Sequence, residues 1–155
     1  MDIYGYLKLD HAYVTQLFKQ FEKVNSFVRR QQIVDVIAQE LLVHLRSEQE
    51  TFYKVLMNFD ITKELTQHGK KEHQEIEEHI NFIKERRENE NVWVNKVYAL
   101  KKIVDHHVHE EEHKVFKKAK DVLSKEDAII LKEKMHYLKG QLILKLKKNN
   151  LHLNV

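Results

Sequence analysis

The chain of 155 residues contains no cysteine, no proline and only 3 glycines. The lack of cysteine excludes disulfides, thiolate nucleophiles, zinc ribbons and cysteine-held iron–sulfur clusters, so any bound metal must take nitrogen and oxygen ligands. Because glycine and proline supply most tight turns, their scarcity argues against a β-sandwich or a β-barrel. The composition therefore predicts an all-α protein, and the length fits a single domain over residues 1–155.

A strong charge imbalance and a long apolar segment are also missing. The 27 basic and 24 acidic residues give a net charge of +3, and they are distributed along the chain. No segment approaches the roughly 18 uncharged apolar residues of a membrane span, and the start of the chain lacks the pattern of a signal peptide. We therefore expect a cytoplasmic protein that binds neither nucleic acid nor a membrane.

Apolar residues recur at the three- and four-residue spacing that is typical of amphipathic helices. The pattern predicts core helices over about residues 2–27, 30–58, 61–88 and 91–121, and a fifth helix over about 126–147. Short polar connections between long helices favour an up-down-up-down antiparallel four-helix bundle over about residues 2–121. The fifth helix is expected to cover this bundle from outside, and it is also where a homodimer could form.

Polar residues interrupt the apolar face of each of the four predicted core helices, and these interruptions repeat between the two halves of the sequence. An acidic residue followed by histidine recurs 62 residues later, and a His-x-x-x-Glu pair recurs 63 residues later. The positions are Asp10-His11 and His44/Glu48 in the first half, and Glu72-His73 and His107/Glu111 in the second. Residues four apart share a helix face, so each His-x-x-x-Glu pair presents an imidazole and a carboxylate inward together.

These inward residues indicate a metal site. Carboxylates facing each other in an apolar core are too costly to persist unless a cation lies between them. Four histidines and two glutamates exceed the needs of one tetrahedral ion, but they fit two ions that each take two histidines and are both bridged by Glu48 and Glu111. Imidazole with carboxylate favours two Fe ions over manganese or zinc. Glu77, four residues after His73, is a candidate terminal ligand.

The order and spacing of these motifs resemble those of the hemerythrin-like, or HHE cation-binding, family over about residues 2–120. The opening segment DIYGYLKLDHAYVTQLF is similar to the first helix of that family. The resemblance implies the same six ligands, with the two glutamates as bridges: His11, His44, Glu48, His73, His107 and Glu111. The oxygen-carrying members have a further histidine where this chain has Glu77. The last carboxylate of the family lies four or five residues after its histidine, and helical phase favours Glu111 over Glu112.

Two ions that share these six protein ligands each retain coordination positions that the protein does not fill. The expected function is that of a non-haem di-iron protein that binds or senses a small ligand such as oxygen, nitric oxide or peroxide. Three alternatives stay open: a di-iron oxidoreductase that removes peroxide or nitric oxide, a protein of iron donation, repair or storage, and a metal-free helical interaction module. Whether the chain is an enzyme is left undecided, and no catalytic residue is assigned.

The other seven histidines lie mostly outside the inward-facing positions of the helices and are predicted to be solvated. They are His68, His79, His106, His109, His113, His136 and His152. Two of them, His106 and His109, flank the last motif closely enough to support its ligands.

Overall fold

Five helices account for nearly all of the residues that the computed structural model describes, which are 1–86 and 89–153. Within these residues there is no β-strand, so the all-α prediction is confirmed. The helices are α1, Ile3–Lys23; α2, made of Phe27–Glu48, a π-helical turn Gln49–Tyr53 and Lys54–Leu56; α3, Asp60–Glu85; α4, made of Glu90–Glu110, a π-helical turn Glu111–Val115 and Phe116–Val122; and α5, Lys125–Leu153. The first four helices lie within a few residues of the predicted ranges, whereas α5 ends six residues beyond its predicted end at 147.

Polar side chains cap the start of several helices. Asp2 accepts a hydrogen bond from the backbone N–H of Gly5 at the start of α1, and Ser26 and Asn89 do the same at the starts of α2 and α4. At α5, the Ser124 hydroxyl accepts from the N–H of Asp127, whose carboxylate accepts from the N–H of Ser124. These bonds satisfy backbone donors that have no partner within the first helical turn, and so they fix where each helix begins.

The buried apolar residues form two clusters, and the polar positions of the repeat lie between them. One cluster extends along α1 to α4 and includes Phe18, Ile37, Ile80 and Trp93. The other contains residues from the start of α1 and the ends of α2 and α4, together with Ala128, Leu131 and Met135 of α5. An apolar layer on each side therefore separates the repeated histidines and glutamates from water.

Helix α5 packs against α1 and α2. Its first half buries apolar side chains, whereas Tyr137 and Leu144 farther along are largely exposed. Among the described helices, none combines the length and the apolar character that crossing a membrane requires.

Candidate metal centre

Four helices bring four histidines and two glutamates to one buried location. Helices α1 and α3 contribute one histidine each, and α2 and α4 contribute one His-x-x-x-Glu pair each. The residues are His11, His73, His44 with Glu48, and His107 with Glu111, and at most 5% of any of them is exposed. Ligand atoms of Glu48, His73, His107 and Glu111 lie within 4.8 Å of one another, as do those of His11, His44 and Glu111.

The histidines form two pairs, and each carboxylate contacts one member of each pair. The rings of His11 and His44, the α1/α2 histidines, are 5.0 Å apart, and those of His73 and His107, the α3/α4 histidines, are 4.7 Å apart. The Oε1 atom of Glu48 lies 3.0 Å from Nε2 of His73 and 3.9 Å from Nε2 of His44. The carboxylate of Glu111 lies 3.3 Å from Nε2 of His11 and 3.4 Å from Nε2 of His107. Both carboxylates therefore lie between the two pairs.

Several buried atoms of this cluster have no hydrogen-bond partner among the described residues. They are both carboxylate oxygens of Glu48, Oε1 of Glu111, and Nε2 of His11 and of His44. An unsatisfied buried polar atom costs about 1–3 kcal/mol, and most buried polar atoms in proteins are paired. Imidazole nitrogens and carboxylate oxygens are ligands that iron, manganese and zinc accept. The residues thus fit a bound cation.

A polar side chain from a neighbouring helix binds Nδ1 of each of the four histidines. The contacts are Asp10 with His44 at 2.9 Å, Glu72 with His107 at 2.9 Å, Glu112 with His11 at 2.7 Å, and Gln49 with His73 at 2.9 Å. An Nδ1–H that donates to such an oxygen leaves the lone pair of Nε2 directed toward a metal. The four supports therefore select the tautomer that a metal site needs.

The two π-helical turns coincide with the two glutamates. One begins directly after Glu48, and the other begins at Glu111. A π turn places one extra residue in a helix, which changes the direction of the side chains that follow. As a result, the residues directly after the two glutamates, Gln49 and Glu112, also reach histidines of the cluster.

Tyr53 closes the cluster beside the α3/α4 histidines. Its hydroxyl donates a short hydrogen bond to Oε2 of Glu111, and its ring stacks on that of His73 with centroids 4.9 Å apart. A Cβ atom at Gly69 would lie only 2.7 Å from the Tyr53 hydroxyl oxygen. The glycine therefore provides the space that the tyrosine ring occupies.

The pKa values of the clustered residues are shifted in different directions. Burial and the neighbouring Glu111 raise the pKa of Glu48 well above its usual range. Burial also acts against ionisation of Glu111, but the adjacent imidazoles of His107 and His11 lower its pKa well below the usual range. Burial opposes the charged form of His107 as well, yet the adjacent Glu111 and Glu72 carboxylates raise its pKa to about 9. Burial lowers the pKa of His73, and the nearby His107 lowers it further.

Glu77 is not brought to the cluster. Its carboxylate lies 3.1 Å from Nε of Arg46, and about a third of the side chain is exposed, 35%. The buried positions of α3 lie mostly on one side of His73, and the fourth residue after it is rotated by about 40° to the other side. The inward line of α3 instead continues through Ile76 and Ile80, both of which are buried.

None of the other histidines whose side chains are described is buried. His79 and His113 bond to backbone carbonyls of their own helices, His109 stacks on His113, and His136 accepts a hydrogen bond from Tyr6 or donates one to it. The other two, His68 and His106, approach Glu72 and Glu110 at the surface. The side chain of His152 lies outside the described part of the chain.

The helical fold and the buried histidine–glutamate cluster are those of a cation-binding helical protein. The chain belongs to the hemerythrin HHE cation binding domain family, whose model matches residues 2–119. This confirms the family that the sequence motifs indicated.

A solved structure is similar over almost the whole length. It is the crystal structure of a hemerythrin HHE cation binding domain-containing protein from Mycobacterium kansasii, with a TM-score of 0.79 and 21% sequence identity. The match covers 95% of this chain and 93% of that chain, and at this identity the likeness concerns the fold. Among curated proteins, none matches the sequence significantly.

Proposed function

We propose that the cluster holds two iron ions, one at the α1/α2 histidines and one at the α3/α4 histidines, with Glu48 and Glu111 bridging both. The observation that supports this proposal most strongly is that each carboxylate contacts one histidine of each pair. The unpaired oxygens of Glu48 support it further, because a fully buried carboxylate without a partner is costly unless a cation occupies the space beside it.

For the helices that carry these ligands we infer the up-down-up-down antiparallel bundle. Helix α1 packs against α2, and α3 packs against α4. The connection between α1 and α2 is only three residues, from Val24 to Ser26, and so short a connection favours antiparallel neighbours. In this arrangement the two halves of the sequence repeat are two helical hairpins that face each other across the metal centre.

The ligand that we propose for this centre is small and uncharged or weakly charged, such as oxygen, nitric oxide or peroxide. Bound iron would supply open coordination positions and a change between ferrous and ferric states. A small apolar cavity borders His11, His44 and His107, and its walls include Val14 and Leu41. It has room for about one water-sized molecule, which suits a diatomic ligand or peroxide and excludes an organic substrate. We therefore propose binding or sensing of such a ligand.

A second candidate function, peroxide or nitric oxide removal by a di-iron oxidoreductase, is favoured by Tyr53. Its hydroxyl lies at the cluster and donates to Glu111. Burial and the neighbouring Glu111 raise the pKa of Tyr53, so the group retains its proton for donation. If the protein is such an oxidoreductase, Tyr53→Phe should slow turnover of peroxide while the iron content stays the same.

The first experiment is metal analysis of protein that is loaded with ferrous iron without oxygen and then desalted. We expect about two tightly held ions per chain. Glu48→Ala with Glu111→Ala should lose both, whereas Glu77→Ala with Glu78→Ala, which removes two exposed or half-buried carboxylates of α3, should keep both. An unchanged iron content in the Glu48/Glu111 variant would contradict the proposed bridges.

The second experiment follows the optical spectrum of the ferrous protein as oxygen, nitric oxide or hydrogen peroxide is added. A spectral change that reverses when the ligand is removed supports binding or sensing. Sustained consumption of peroxide by catalytic amounts of protein supports the oxidoreductase instead, and a spectrum that responds to none of the three ligands contradicts both.

A further inference from the structure

A second group of histidines and carboxylates lies at the surface beside the buried centre. It consists of His68 and Glu72 on α3 and His106 and Glu110 on α4, and we call these four residues the outer cluster. Each helix contributes a His-x-x-x-Glu pair, whose two side chains share one helix face. The imidazoles are exposed, at 57% and 64%, whereas the carboxylates are mostly covered, at 14% and 21%.

The distances within the outer cluster fit the ligands of one metal ion. Nε2 of His68 lies 3.6 Å from Glu72 and 3.3 Å from Glu110, and Nε2 of His106 lies 3.7 Å and 3.6 Å from the same two carboxylates. Most of these separations are too long for hydrogen bonds. They are close to the roughly 3.4 Å between neighbouring ligand atoms around a tetrahedral ion with bonds of about 2.1 Å. Ligand atoms of His68, Glu72 and Glu110 lie within 4.8 Å of one another and so fit one ion, and His106 approaches both of these carboxylates.

The outer cluster is connected to the buried centre in two ways. One oxygen of Glu72 faces the outer imidazoles, and the other binds Nδ1 of the buried His107 at 2.9 Å. A narrow crevice with room for about one water-sized molecule is lined by His68 and Glu110, and also by the buried Tyr53 and Glu111. The crevice therefore runs from the outer cluster to the carboxylate that we propose as a bridge.

We propose that the outer cluster captures a divalent first-row transition-metal ion from solvent and passes it through this crevice to the buried centre. His68 with the two carboxylates, and His106 beside them, offers the nitrogen and oxygen ligands that suit ferrous iron, cobalt or zinc. The capture step depends only on the outer cluster, whereas the delivery step also depends on the two-ion centre proposed above. The Nζ atom of Lys114 lies 3.6 Å from Glu110, so an ion must compete with this ammonium group, which keeps binding weak and exchangeable.

Capture is tested by adding Co²⁺ to iron-loaded, desalted protein and recording the visible absorption of tetrahedral cobalt. We expect one further equivalent per chain. It should be lost in His68→Gln with His106→Gln and kept in the matched control His79→Gln with His136→Gln. Lys114→Gln should tighten the binding because the competing cation is gone.

Two outcomes of this titration would overturn the capture site. One is that the further equivalent is absent or persists without His68 and His106. The other is that it disappears instead in His109→Gln with His113→Gln, because these stacked residues one helical turn apart offer two imidazoles of their own. Because the cobalt absorption is compared between variants of surface residues, it tests the outer cluster independently of how many ions the buried centre binds.

Delivery is tested by the rate at which metal-free protein takes up its two tightly held iron ions. Removing both outer imidazoles should slow uptake by about tenfold, the lower end of what local concentration of an ion contributes to association, while the final content stays at two. An unchanged rate would overturn delivery. If unaltered protein itself fails to retain two ions, the proposed function fails rather than the capture site.

Discussion

The two halves of the molecule, α1 with α2 and α3 with α4, present equivalent ligands but support them differently. The residue directly after each glutamate binds a histidine of the cluster, and it is the neutral Gln49 in the first half and the charged Glu112 in the second. His73 therefore has an amide partner at Nδ1, whereas His11 has a carboxylate. A carboxylate partner makes an imidazole a more basic metal ligand.

The aromatic residue that follows each His-x-x-x-Glu pair differs in the same way. Tyr53 in α2 reaches Glu111 and needs Gly69 for space. The equivalent residues of the other half are Phe116 and Leu7, which lie together in an apolar cluster. Gly69 and Tyr53 thus stand where the other half has Leu7 and Phe116, and the tyrosine gives the α3/α4 side a hydroxyl group.

The acidic residues that precede the first histidine of each half also have different neighbours. Both oxygens of Asp10 lie 2.8 Å from Nζ of Lys139 on α5, whereas Glu72 faces the imidazoles of the outer cluster. The two halves thus share the six residues of the cluster, while the residues behind the histidines give each pair its own surroundings.

The largest contrast is expected between Glu111→Gln and Glu48→Gln in metal-free protein. Glu111 accepts a hydrogen bond from Tyr53 and contacts two histidines, so Glu111→Gln should lower the free energy of unfolding by about 2 kcal/mol. Glu48 has no hydrogen bond on either oxygen, and burial raises its pKa. Glu48→Gln should raise the free energy of unfolding by about 1 kcal/mol, because a neutral amide avoids the cost of taking up a proton on folding at pH 7. Urea unfolding at pH 7 measures both, and changes of the same sign would remove the difference that we describe.

The second contrast compares one substitution at two glycines. Gly69→Ala places a Cβ against the Tyr53 ring and should lower the free energy of unfolding by about 1 kcal/mol, even after its gain in helix propensity. At Gly140, by contrast, a Cβ meets nothing within 4 Å, so Gly140→Ala should raise stability by about 1 kcal/mol. Thermal unfolding of the two variants measures the difference, and equal stabilisation would show that Tyr53 does not need the space.

A smaller effect is expected when the residue that follows each glutamate is given the charge of its counterpart in the other half. Glu112→Gln should weaken metal binding by about tenfold because His11 loses a charged partner, and Gln49→Glu should strengthen it at His73. Competition with a chelator of known affinity measures both changes. If the two variants shift affinity in the same direction, the charge of the support is not what distinguishes the two halves.

The smallest effect is expected for the contact that joins α5 to the first half. Lys139→Met keeps the apolar stem but removes the ion pair with the half-buried Asp10, and it should lower the free energy of unfolding by about 1 kcal/mol. Lys134→Met on the exposed side of α5 serves as the control and should change stability by less. Denaturant unfolding measures both variants, and an equal loss in the two would mean that the contact with Asp10 does not stabilise the fold.

Much of this organisation could be predicted from the sequence because it depends on spacing within single helices. The helix ranges and the meeting of four histidines with two glutamates follow from periodicity and from the repeat. The supports of the histidines could not be predicted in this way, because each comes from another helix. Their signal was adjacency: Asp10 and Glu72 precede a cluster histidine directly, and Gln49 and Glu112 follow a cluster glutamate directly.

Other features depend on small rotations that spacing does not resolve. Glu77 satisfies a spacing of four residues, yet it has turned toward Arg46, while Ile76 is the residue that points inward. The π-helical turns at Gln49–Tyr53 and Glu111–Val115 leave no pattern in the spacing of apolar residues. The pairs His68/Glu72 and His106/Glu110 repeat the His-x-x-x-Glu spacing on outward faces. Such pairs are common on exposed helix faces, so their spacing alone does not predict a site.

The π-helical turns also separate the length of a helix from the direction of its side chains. Each turn contains one residue more than a regular helix would need over the same distance. A single deletion within Gln49–Tyr53 could therefore be absorbed as ordinary α-helix, without a break in the chain. The side chains beyond the deletion would keep their directions, because only the extra residue of the turn has been removed. At these two sites, one amino acid more or less changes the local winding of the helix and leaves its far part where it was.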